Sequence, residues 1–129
     1  MQGIKRLLAL GALGVFALSG AAALSLEGRC FLGTKCKAGK FDLPEGSSES
    51  LVFEKGNVVK LVGTGHGFSS SGRYQIEEEK KMVIMRFSEN GQGTLVGTYT
   101  DTDCSSMNVG GDVSRGILHV SLSGEFICQ

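Results

Sequence analysis

The stretch that decides the fold is Arg73-Tyr74-Gln75-Ile76-Glu77, a charged corner, Met82-Val83-Ile84-Met85-Arg86-Phe87, a Ser88-Glu89-Asn90-Gly91-Gln92-Gly93 corner, and Thr94-Leu95-Val96-Gly97-Thr98-Tyr99-Thr100. Three short β-prone runs separated by turn residues read as an antiparallel meander. The middle run is apolar on both faces, as in a strand with material packed on each side. Period-two alternation puts Tyr74, Ile76, Val83, Met85, Phe87, Leu95, Gly97 and Tyr99 inside, and Arg73, Gln75, Arg86 and Thr98 outside. A glycine at the inward position 97 leaves room for a large neighbour or permits a bend.

Upstream, Ser50-Leu51-Val52-Phe53-Glu54 and Val58-Val59-Lys60-Leu61-Val62 flank Lys55-Gly56-Asn57 and read as a hairpin. Pro44-Glu45-Gly46-Ser47-Ser48 reads as a loop, and so do the Gly/Ser-rich residues 64–72. Cys30-Phe31-Leu32 and Gly39-Lys40-Phe41-Asp42-Leu43 are each compatible with a short strand. Downstream, residues 101–114 read as a polar loop around Gly110-Gly111. Residues 116–128 read as one long strand bent at Gly124, because that sorts Leu118, Val120, Leu122, Phe126 and Cys128 onto one face; a turn at Ser123-Gly124 would mix the faces. No helical period is sustained after residue 25. The expected fold is all-β: a small antiparallel barrel of six to eight strands, mostly meander, with a packed interior.

The first residues have a different character. Lys5 and Arg6 precede an apolar and glycine stretch over residues 7–18, followed by Ala21-Ala22-Ala23 and Ala23-Leu24-Ser25, both of small-x-small form. That order is the pattern of a cleaved secretory signal peptide, assigned here to residues 1–25. The 12-residue apolar core is short against the roughly 20 residues that span a bilayer, so no membrane insertion is expected after cleavage. Residues 26–129 then form one domain, exported to a periplasmic or secreted location. Without Lys5 and Arg6, 11 basic residues stand against 13 acidic ones, which gives no electrostatic drive toward nucleic acid.

Four cysteines, Cys30, Cys36, Cys104 and Cys128, in a short exported chain read as two disulfides rather than a zinc site. The last strand would extend roughly 40 Å. Paired with the run at residues 94–100, it would hold Cys104 and Cys128 at opposite ends, whereas a disulfide needs Cα atoms within about 7 Å. Cys30–Cys128 with Cys36–Cys104 is the expected pairing; a local Cys30–Cys36 bridge is the alternative.

Catalytic signals are sparse. The histidines are His66, among glycines, and His119, outward on the last strand, and nothing in the spacing joins them. The chain has no Gly-x-Ser-x-Gly elbow around Ser69, Ser70 and Ser71, and Gly63-Thr64-Gly65-His66-Gly67 opens no helix that could receive a phosphate. Asp101, Asp103, Ser105 and Asp112 match some oxygen positions of a calcium loop, but Ser106 stands where glycine is needed. The reading is therefore a protein that is not an enzyme, without cofactor or metal, binding a protein partner through its loops. A small-ligand carrier of lipocalin-like type is the rival within binding proteins.

Phe68-Ser69-Ser70-Ser71-Gly72-Arg73-Tyr74 resembles the Ser-Gly-x-x-Tyr loop of the periplasmic inhibitors of C-type lysozyme. Those are small exported eight-stranded barrels with a disulfide, whose loop enters the lysozyme cleft. The match covers seven residues, departs by one residue in spacing, and lacks that family's tryptophan-rich strand. The resemblance implies an inhibitor with Ser71 and Tyr74 at the interface. His66, Phe68 and Arg73 complete the candidate binding set.

Overall fold

The structure is a computed structural model that describes residues 23–33, 36–38, 41–42, 49–63 and 69–129. Its strands are β1 (Cys30–Gly33), β2 (Cys36–Ala38), β3 (Phe41–Asp42), β4 (Glu49–Glu54), β5 (Val58–Gly63), β6 (Ser69–Glu77), β7 (Met82–Glu89), β8 (Gln92–Thr98), β9 (Ser106–Arg115) and β10 (Leu118–Cys128). Each of β4 to β9 pairs antiparallel with the next strand, and β1 pairs with both β4 and β10. The result is a closed eight-stranded meander barrel. β2 continues along β10 beyond β1, with Cys36 opposite Leu122, and β3 folds back on β2.

Why these residues close a barrel follows from the alternation along each strand. Phe31, Leu51, Phe53, Val59, Leu61, Val83, Met85, Leu95, Val113 and Val120 are completely buried, and Phe87, Met107, Val109, Leu122 and Phe126 nearly so. Their outward neighbours Lys60, Arg73, Gln75, Arg86, Asn108, Ser121 and Glu125 are exposed. Phe53 stacks edge-on with Phe31 at 5.5 Å and with Tyr74 at 4.9 Å between ring centroids. The expected inward set of the meander holds throughout, and Gly97 does make room: a Cβ there would stand 2.5 Å from the Met107 Sδ. β10 runs unbroken through Gly124, as its sorted faces required.

Two expectations need correction. Residues 69–72 are the start of β6 and not loop, with Ser70 buried and its hydroxyl donating to the Glu89 carbonyl at 2.8 Å. Gly72 faces inward at a register shift where a Cβ would collide with the Arg86 carbonyl, so a strand passes only with glycine there. Residues 106–115 are likewise a strand, β9, inserted between β8 and β10. The loop over residues 44–48 and the first 22 residues of the leader assigned to residues 1–25 lie outside the described residues.

Candidate functional site

One end of the barrel is stoppered by residues 23–29. Leu26 is completely buried in the core, and Leu24 packs against it. The segment is held by backbone bonds: the Gly28 N–H donates to the Phe53 carbonyl at 2.8 Å, and the Phe53 N–H donates to the Arg29 carbonyl at 2.9 Å. The Arg29 side chain then braces the same end. Its Nη2 donates to the Cys104 carbonyl at 2.7 Å, its Nη1 to the Ser25 carbonyl at 3.4 Å, and its Nε to Cys128 Sγ at 3.4 Å. The guanidinium also lies 5.3 Å from the Phe31 ring centroid, within range of a cation–π contact.

The cysteines of this end correct the expected pairing. Cys30, Cys104 and Cys128 are free thiols. Cys128 belongs with Cys104 to the inward cluster, while Cys30 precedes the inward Phe31 and takes the other face of β1. Cys30 and Cys128 therefore face opposite sides of the barrel wall, and a bridge between them would need one strand to turn over. Because β9 intervenes, Cys104 arrives beside the end of β10 and not at its start: Ser106 is opposite Ile127, and the Cys128 N–H donates to the Ser105 carbonyl at 2.9 Å. Burial pushes the Cys104 thiol up to about 11, against the opposing pull of Arg29. Cys36 lies on β2, with its side chain outside the described set.

Two grooves flank the stopper. One, of about 270 Å³, is lined by Leu24, Leu26, Glu27, Asn57, Tyr74 and Ile76 among others. The second, of about 320 Å³, lies between Ala23, Leu24, Ser25, Arg29, Thr102 and Asp103. Both are surface features beside the stopper, and the inward side chains of the described strands form one buried cluster.

The candidate binding residues separate. His66 and Phe68 lie outside the described residues. Ser71 and Arg73 are on the outer face of β6, where the Ser71 hydroxyl donates to Glu89 Oε1 at 2.9 Å. Tyr74 points the other way, into the core, and burial raises its phenol above the ordinary value with Glu27 adding to the effect. His119 is exposed on β10. The oxygen ligands considered for calcium also separate. The Asp101 carboxylate accepts from the Ser105 hydroxyl at 2.9 Å and its N–H at 3.1 Å, which lowers its pKa, whereas Asp112 sits far along β9 accepting from Ser121. Among the described residues no cluster of His, Cys, Asp and Glu converges as a metal site.

Comparison with protein-family models, curated protein sequences and solved structures finds no match to this chain. The geometry stands alone.

The outer wall carries one feature that the sequence did not expose. Arg73 on β6 is directly opposite Arg86 on β7, and Lys60 on β5 is opposite Ser71. Like charges facing one another across a ladder are destabilising. Arg86 Nη1 donates to Gln75 Oε1 at 3.2 Å, and Lys60 pairs with Glu54 at 3.5 Å. The signal was present as Arg73 and Arg86 on outward positions, but it needed the register to bring them together.

Proposed function

We propose that this protein is an exported, non-enzymatic β-barrel that binds an acidic surface of another protein through the outer face of β5, β6 and β7. The observation that carries this reading is the Arg73–Arg86 pair. Two exposed arginines opposite one another across the β6–β7 ladder offer two guanidinium forks to carboxylates, and a partner supplying these would offset the repulsion between like charges. Export is inferred from the leader-like start of the chain, and the packed interior supports a protein partner over an enclosed small ligand.

The lysozyme-inhibitor reading receives less support. Ser71 and Tyr74 occupy opposite faces of β6, so the outer face that presents Ser71 and Arg73 does not present the Tyr74 side chain. Arg73 remains in the proposed interface; Tyr74 does not.

The test is capture from periplasmic or culture-supernatant extract by the processed protein, compared with an Arg73→Glu/Arg86→Glu variant of unchanged thermal stability. A specific acidic partner retained by the wild type and lost by the variant, with binding weakened by added salt, is the expected outcome. Equal capture by both proteins refutes the assignment of this face.

A further inference from the structure

We infer that the leader is removed between Ala23 and Leu24, and that the new α-ammonium of Leu24 pairs with the Glu78 carboxylate to fasten the stopper. This rests on the export reading above and goes beyond it, because the sequence offered two bonds with small residues before them and drew the boundary after Ser25.

The structure distinguishes the two bonds. Cleavage after Ser25 would make Leu26 the first residue. Leu26 is completely buried with residues 23–25 in place, so that cut would uncover one side of a core residue and set a charged ammonium directly beside its apolar surroundings. That cut would also remove Leu24, which packs on the core, and the Ser25 carbonyl that accepts from Arg29.

Cleavage after Ala23 has the opposite effect. The Leu24 nitrogen already lies 3.2 Å from Glu78 Oε1, on an exposed contact across 54 residues of chain. Hydrolysis adds water across the Ala23–Leu24 peptide bond. The C–N bond breaks, Ala23 leaves as a carboxylate on the leader, and the Leu24 nitrogen takes up a proton; a signal peptidase supplies the catalyst. One amide donor at the Glu78 carboxylate is thereby replaced by a charged group with three donors, and charge-assisted bonds of this kind are the stronger ones. Residues 24–29 stay in place, and nothing buried acquires a charge.

Expression of the full chain in a host that exports by signal peptide tests the inference, with intact mass and N-terminal sequencing of the exported protein. The expected first residue is Leu24. A first residue of Ser25 or Leu26 overturns the cleavage assignment while leaving export standing; a chain that keeps Met1 and stays inside the cell overturns the export reading itself. On the processed protein, the α-amine titration compared with that of Glu78→Gln reads the ion pair. The wild-type amine is expected to titrate at higher pH than the variant's, and identical titrations would refute the Glu78 contact.

Discussion

The tip of the Phe126 ring occupies the space that a side chain on Gly33 would need. The two residues are cross-strand partners where β1 meets β10, the contact that closes the barrel. The aromatic ring covers a glycine on the neighbouring strand and fills the hole that glycine leaves.

Replacing Gly33 by alanine should therefore force the ring aside and cost about 1–3 kcal/mol by overpacking. Phe126→Ala should cost about 3–5 kcal/mol. Because the residues touch, the double variant should cost less than the sum of the two, a coupling readable from urea unfolding of all four proteins. Strict additivity would mean that the ring and the glycine do not share one space.

The stopper makes its own prediction. Leu26→Ala removes a completely buried side chain and should lower stability by about 2–5 kcal/mol. Leu24→Ala, at a partly buried position, should cost clearly less. Denaturant midpoints in the reverse order would show that residues 23–29 are not seated as described.

Thiol chemistry separates the two faces of the wall. Cys104 is fully buried with its thiol held neutral to about pH 11, while Cys30 is only half-buried on the outer side. In the reduced native protein an alkylating reagent should modify Cys30 well before Cys104, as peptide mass spectrometry would show. Early labelling of Cys104 would contradict its burial.

Alkaline titration should reveal the tyrosines. Tyr74 and Tyr99 are the only two tyrosines, tryptophan is absent, and burial raises both phenols above the ordinary value. Raised values favour the neutral forms in the folded state. Their contribution to stability is thus full below the unfolded phenol value and is lost as pH rises through the folded one; Cys104 acts with the same sign. The tyrosinate absorbance should therefore rise late and steeply, together with loss of β-sheet circular dichroism. Two ordinary, independent ionisations in an intact fold would refute this.

What could be read in advance was set by how local the signal is. The faces of β6, β7 and β8 followed from simple alternation, and the length of β10 from the sorting of Leu118, Val120, Leu122 and Phe126. β9 was missed because Gly110-Gly111, Asn108 and Asp112 have the composition of a loop. The clue was Met107, Val109 and Val113 at even spacing, with Gly111 in the gap. That one missing strand also misplaced Cys104, and with it the expected bridges. Leu24 was grouped with the leader because its packing on the core is purely tertiary: no neighbour in sequence announces that the end of a barrel is waiting for it. The Arg73–Arg86 pair likewise depends on register, which residue types alone do not specify.

The pairing of β1 with β10, reinforced by the Gln129 N–H donating to the Cys30 carbonyl at 2.8 Å, joins the two ends of the sheet across most of the sequence. Closure therefore depends on the strand contact most distant in sequence, whose loop-closure entropy must be met before it forms. Until then β1 and β9 each keep an unpaired edge open to other chains. Seating β10 between β1 and β9 covers both edges at once.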